Sequence, residues 1–229
     1  MPKMVAERNV EPWKRRLYLP AYSISAAAQY VGTSSQTISY WFYGGGSLGP
    51  ALPGKEQHKP LSYLQLIEIA FVATFRGLNV SLQRIRKARE YAAQTLNSEY
   101  PFIELRWKTE GHHMLLDLVD IDQDAELNRL IVADQNGQLG WEKLVSERFV
   151  QFDYIGGLAL IWHVAGRESP VIIDPRIAFG APTIRGIATW VIKGRWEARE
   201  TKEDIKDDFG LTDKEIEWAL KFERIPVTA

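Results

Sequence analysis

The stretch SISAAAQYVGTSSQTISYWF, residues 23–42, decides how the N-terminal part of this chain is read. Ile24, Ala27, Ala28 and Val31 fall at the i, i+3, i+4, i+7 spacing that gathers apolar groups on one helix face. Val31-Gly32-Thr33 makes a turn. Ser34 or Ser35 suits the start of a second helix, because a short hydroxyl side chain accepts from the orphan N–H groups of a first turn. On that second helix Ile38, Trp41 and Phe42 share one side, and Gln36, Ser39, Tyr40 and Tyr43 lie away from it. This is the layout of a helix-turn-helix, whose second helix enters the major groove. Short polar side chains on its outer face reach base edges or phosphates. The expected DNA contacts are therefore Ser35, Gln36, Ser39, Tyr40 and Tyr43.

Residues 1–20 read as a flexible arm that ends in Trp13-Lys14-Arg15-Arg16. Its three cations either touch a phosphate backbone or keep the terminus soluble. On the other side, Gly44–Pro50 and the loop to Pro60 read as a wing or linker carrying Lys55 and Lys59. No strand precedes these glycines and no Lys-Ser/Thr follows, so a phosphate-binding loop is not expected. Ser62-Tyr63-Leu64-Gln65 forms a capping box for a helix with Leu66, Ile67, Ala70 and Phe75 inward. A further helix over 81–96 turns Leu82, Ile85, Ala92 and Leu96 inward. Its Arg84, Lys87 and Arg89 either meet phosphates or form a solvated face.

Charge supports two kinds of partner. Residues 1–96 hold 12 Lys and Arg against 5 Asp and Glu, and the rest of the 229 residues hold 16 against 24, for a net charge of −1. A basic third suits nucleic acid and an acidic remainder suits protein contact. The absence of cysteine excludes disulfides and thiolate chemistry and fits a reducing cytoplasm. The mixed, charged first twenty residues do not read as a signal peptide. Leu158–Val164, the longest apolar run, is too short to span a bilayer as a helix.

The order helix-turn-helix, glycine-rich wing, helix, short break, helix over residues 21–96 resembles the DNA-binding domain of the MerR family. Thr37-Ile38-Ser39-Tyr40-Trp41 is similar to that family's Thr-Ile-Arg-Tyr-Tyr/Trp, and Arg76-Gly77-Leu78-Asn79-Val80-Ser81-Leu82 to its Leu-Gly-x-Ser-Leu break. Ser39 replaces the family's arginine, so affinity must come from Lys14, Arg15 and Arg16, from Lys55 and Lys59, or from dimerisation.

From about residue 100 the pattern becomes β-rich. Phe102–Trp107 and His113–Val119 are expected as strands around a Thr109-Glu110-Gly111 turn. Trp141–Phe149 reads as a short helix. Val150–Tyr154 and Leu158–His163 read as a hairpin joined through Gly156-Gly157, and Val171–Ile173 as another strand. The C-terminal segment is helical: one helix over 187–195, one started by Thr201 and stopped by Gly210, and a third opened by the capping box Thr212-Asp213-Lys214-Glu215. The expected class is α+β: a winged helix-turn-helix (21–98), a small central β-rich module (99–172) and a three-helix, helix-turn-helix-like domain (173–229).

That last segment resembles the domain of unknown function 433 family. The carrying residues are Asp174-Pro175, Gly180-x-Pro182-x-Ile184-Arg185-Gly186, and the run from Asp204-Ile205 through Asp208-Phe209, Leu211-Thr212, Ile216 and Ala219-Leu220. The middle and end together resemble the larger VapB-type antitoxins that carry this domain. The resemblance implies a protein that blocks a PIN-like ribonuclease toxin and represses its own operon by binding operator DNA, and a helix-turn-helix reading two half-sites is expected to act as a homodimer. The acidic last helix (Asp213, Glu215, Glu217, Glu223) would repel phosphate, so this domain is expected to serve dimerisation or toxin capture. Arg185, Trp190, Trp196 and Trp218 are the candidate interface residues, unless the tryptophans are ordinary core.

No catalytic constellation emerges. His58, His112, His113 and His163 lack metal-ligand spacing. Asp120-Ile121-Asp122-Gln123-Asp124 opens like a calcium loop but continues with Ala125 and Ile131 where glycine and glutamate are needed. A hydrolase built on Asp117, Asp120 or Asp122 has no supporting pattern. The expectation is a binding protein with no cofactor, no metal and no membrane contact. The alternative is a MerR-like, ligand-responsive transcription regulator without a toxin, its central module sensing the ligand.

Overall fold

The computed structural model describes residues 12–44, 49–52, 56, 58–77, 79–108 and 148–226. Local capping sets its first elements. The Ser23 hydroxyl accepts from the Ala26 N–H at 3.0 Å and starts α2 (Ile24–Val31), and Gly32 ends it in the left-handed region. Ser34, of the two candidate serines, caps α3 (Ser35–Tyr43) by accepting from the Thr37 N–H at 3.0 Å. Ala27, Ala28, Ile38, Trp41 and Phe42 are buried, as the periodicity requires. The segment expected as an arm behaves differently from Pro12 onward. It forms a short helix, α1 (Pro12–Arg16), then buries Leu17, while Tyr22 pairs with Leu61 in an antiparallel bridge. Residues 1–11 lie outside the described residues, as do residues 45–48, 53–55 (with Lys55) and 57 of the expected wing.

The Ser62–Gln65 box closes reciprocally, at 3.2 Å to the Ser62 hydroxyl and 2.9 Å to the Gln65 amide oxygen. It opens α4 (Tyr63–Gly77), which is buried on every side and forms the centre of the first core. Asn79, in the left-handed region, turns the chain, and Ser81 caps α5 (Leu82–Leu96). Arg89 on α5 takes neither of the surface roles expected for it. It is 6% exposed and donates at 2.6 Å to Glu68, itself 1% exposed. The other Glu68 oxygen accepts from the Phe102 N–H at 2.9 Å. Two charges can share an apolar core because each meets the other and the remaining lone pairs are used.

Phe102–Trp107 is not the expected strand. Pro101–Ile103 is a single 3-10 turn, with only Glu104 bridging to Leu158. Pro101 fixes the first φ of the turn, and Phe102 and Ile103 are both buried, a pattern no half-buried strand gives. The strand expected over 113–119 and most of the helix expected over 141–149 fall outside the described residues.

The predicted hairpin forms from β1 (Phe152–Ile155) and β2 (Leu158–Trp162), with an irregularity between Asp153 and Tyr154. Val150 precedes the strand, within a 3-10 turn over Phe149–Gln151. The sheet continues in simple order through β3 (Ile172–Ile173), β4 (Pro182–Ile184) and β5 (Ile187–Ala188), all antiparallel. The first helix of the C-terminal segment therefore begins at Thr189, two residues later than expected, because Ile187 and Ala188 are paired with β4. That helix, α6 (Thr189–Glu197), packs with α7 (Lys202–Phe209) and α8 (Asp213–Phe222). Thr201 with Asp204 and Thr212 with Glu215 both form complete capping boxes.

The class is thus mixed α+β with a five-stranded antiparallel sheet. Two cores lie along it. One runs from Leu17 through α4 and α5 to Phe152, Trp162 and Ile173, so the boundary expected at 98/99 falls inside a single core. The other gathers Val171, Ile184, Ile192, Ile205, Ile216 and Leu220. β3 joins them, and Val164 packs against both.

Candidate nucleic-acid interface and the C-terminal domain

The inner face of α3 is locked by Ile38, Trp41 and Phe42, so its orientation is set by the core. The Trp41 carbonyl is further held by the N–H groups of Ala51 and Leu52 at 2.8 and 3.0 Å. The outer face then presents Ser35 and Gln36 fully, Ser39 in part, and two tyrosines, Tyr40 (54% exposed) and Tyr43. Tyr40 lies over Gly44, where a Cβ would come within 2.2 Å of its ring. Glycine there lets the ring fold back along the helix end. Beside this face runs a cleft of about 590 Å³, lined by Ser23 and Ser25 from the start of α2, Ser35, Ser39 and Tyr43 from α3, and His58–Pro60. The structure brings Ser35, Ser39, Tyr43 and Lys59 to one opening. Gln36 and Tyr40 are exposed on the same helix but do not line it. Ser23, Ser25 and His58 were missed by sequence reasoning, since nothing local signals that the start of α2 faces the loop before α4.

The expected cations divide. Lys59 is exposed and pairs with Glu56 at 2.6 Å. Lys14 lies 5.5 Å over the Trp13 ring and Arg15 is exposed. Arg16 points to the C-terminal domain: it donates to the Arg176 carbonyl at 3.4 Å, and its guanidinium stands 5.5 Å over the Phe179 ring. Lys55 lies outside the described residues.

The candidate interface residues of the C-terminal domain also separate. Trp190 is 62% exposed on α6. Trp196 and Trp218 are partly buried against the second core, with Lys221 over the Trp218 ring at 4.9 Å. Arg185 is exposed and staples the domain, donating to the Gly210 carbonyl at 2.6 Å. Asp174 is 1% exposed and receives the Arg176 guanidinium in fork fashion, at 2.6 to 3.1 Å.

Besides Arg16, the side chains of Tyr22, Gln29 and Tyr30 seat the N-terminal segment on this domain. The Tyr22 hydroxyl donates to the Gly180 carbonyl at 2.9 Å, and burial pushes its pKa well up, so it stays a donor. Gln29 donates to the Phe222 carbonyl at 3.3 Å, and Tyr30 stacks on the Phe222 ring. At the hairpin, His163 and Arg167 converge on Asp153 at 3.0 and 2.6 Å. Burial would raise that carboxyl, but its bonds to Arg167 and His163 hold it below the usual range. This is an ordinary ion-pair network. No group of three or more metal-ligating side chains occurs among the described residues, and no helix among them is long and apolar enough to cross a membrane.

Residues 171–222 match the family described as "Protein of unknown function (DUF433)", so the chain carries a C-terminal domain of that family. Among solved structures, the crystal structure of Rv2018 from Mycobacterium tuberculosis is similar over 90% of this chain and 99% of that one, at 21% identity and a TM-score of 0.75. At that identity the likeness shows the fold alone. No curated protein matches the chain in sequence.

Proposed function

We propose that this chain is the antitoxin of a type II toxin-antitoxin pair. In this reading it binds and neutralises a PIN-like ribonuclease toxin, and as a homodimer it represses its own operon. The carrying observation is α3: its inner face is buried by Ile38, Trp41 and Phe42, and its polar outer face, Ser35, Gln36, Ser39, Tyr40 and Tyr43, is turned to solvent. We read α2 and α3 with residues 44–60 as a MerR-like winged helix-turn-helix. Gln36 and Tyr40 would read bases, and Lys59 would meet the backbone. The toxin-binding half rests on the resemblance of the middle and end to VapB-type antitoxins, and on the acidic character of residues 97–229. Trp190 is the best-exposed anchor for a protein partner.

The test is co-expression with the protein encoded beside it, followed by sizing of the purified material and binding to the chain's own promoter DNA. Co-elution is expected. Gln36→Ala and Tyr40→Ala should each weaken promoter binding about 5- to 100-fold, the range for one good base contact, and leave co-elution intact. Promoter binding without co-elution would favour the ligand-responsive regulator. Loss of neither function in the variants would remove α3 as the reading helix.

A further inference from the structure

Ala178, Phe179 and Gly180 are three successive residues with positive φ, at 45°, 55° and 81°. An L side chain in this region is strained. The strain is held in place from below. The buried Asp174 carboxylate accepts from the Arg176 N–H at 2.9 Å, and the Asp174 carbonyl from the Ile177 N–H at 2.9 Å. The Tyr22 hydroxyl takes the Gly180 carbonyl, and a Cβ at Gly180 would lie 2.1 Å from that hydroxyl oxygen. All of this holds one phenyl ring in water: Phe179 is 82% exposed, more than any other large apolar side chain described. The ring has a charged setting. Arg16 stands over it, and α1, Pro-Trp-Lys-Arg-Arg, carries three cations and no acid. Arg176 is paired with Asp174, so Arg16 at the end of α1 supplies the positive charge over the ring.

An exposed aromatic ring with a guanidinium held over it is the composition that stacks nucleic-acid bases while neutralising a phosphate. We propose that Phe179, with Arg16 and the rest of α1, is a second DNA-contact site, at which the ring stacks on or wedges between bases. The charge favours a polyanion over an apolar protein surface. The inference rests on the DNA-binding reading above, and Tyr22 links the two regions: its hydroxyl holds the Phe179 loop, and Ser23, next in sequence, lines the cleft beside α3.

The experiment uses the full chain and a fluorescent duplex of its own promoter region. Phe179→Ala should weaken binding at least about fivefold, the lower end for loss of one stacked base, and Phe179→Tyr should restore it. Phe179→Gly relieves the backbone strain, so its Tm should equal or exceed that of the parent while its DNA affinity falls as in Phe179→Ala. With p-benzoylphenylalanine in place of Phe179, irradiation should cross-link the chain to DNA. Unchanged affinity in both variants, or cross-linking to a second copy of the chain or to a co-expressed protein instead of DNA, would overturn the proposal. If Gln36→Ala weakens binding and Phe179→Ala does not, this site fails and the α3 reading stands. If the parent binds no DNA at all, both fail.

Discussion

A single methyl group at position 180 would meet two obstacles at once. The φ of +81° is strained for any L side chain, and the added carbon would collide with the Tyr22 hydroxyl at 2.1 Å. Gly180→Ala should therefore destabilise the protein by about 2–4 kcal/mol, as backbone strain and overpacking combine. Tyr22→Phe alone, which leaves the Gly180 carbonyl without its donor, should cost about 1–2 kcal/mol. The double variant should cost less than the sum, since removing the oxygen removes the collision. Denaturant unfolding of the three variants measures this, and strict additivity would refute the steric account. Little of this was legible in the sequence, where Gly180 belongs to a family motif but its partner lies 158 residues away. Glu68 and Arg89 were unreadable for a similar reason. Each looks like an ordinary helical surface charge until α4 is known to be buried all round.

At the scale of elements the sequence speaks most clearly where the physics is local. The serine caps, the Ser62–Gln65 box and the two C-terminal boxes all form, because each needs only a side chain and an N–H three residues away. The outer face of α3 was legible for the same reason, from period alone. Phe102–Trp107 was misread because β-forming residues in a row do not specify a strand once proline starts a turn and neighbours are buried together. The boxes also predict a pH response. Burial would raise the Glu215 carboxyl, but the Thr212 N–H and hydroxyl hold it below 4.5. The Thr201 hydroxyl and N–H hold Asp204 below 3.8. Both pKa values are depressed in the folded state. The stability they supply is therefore complete above the unfolded values and disappears as pH falls through the lower folded ones. Glu215→Gln keeps an acceptor for the Thr212 N–H but loses the charge at the start of α8. It should cost about 0.5–1 kcal/mol at pH 7, and the gap to the parent should close as pH falls through the lowered folded-state pKa of Glu215. A gap independent of pH would show that the charge has no part in it.

For the molecule as a whole, the sheet decides how the parts melt. β1 and β2 pack into the first core, β4 and β5 lie by the second, and β3 is shared by hydrogen bonding to both sides. The described parts should unfold in one transition, with calorimetric and van't Hoff enthalpies in a ratio near one. Two resolved transitions would mean that the cores are independent. The boundaries drawn from composition could not reveal this, because a strand of two residues carries almost no signal in sequence.

The clasp between α2 and the end of α8 has a consequence for the order of synthesis. Gln29 and Tyr30 rest on Phe222, which the ribosome adds 193 residues after Gln29. A nascent chain that has emerged only through α3 has caps and a helix face but no seat for them. Loop closure over such a span is slow compared with helix formation. The seat of α2, against which α3 packs, is thus complete only once synthesis has passed Phe222.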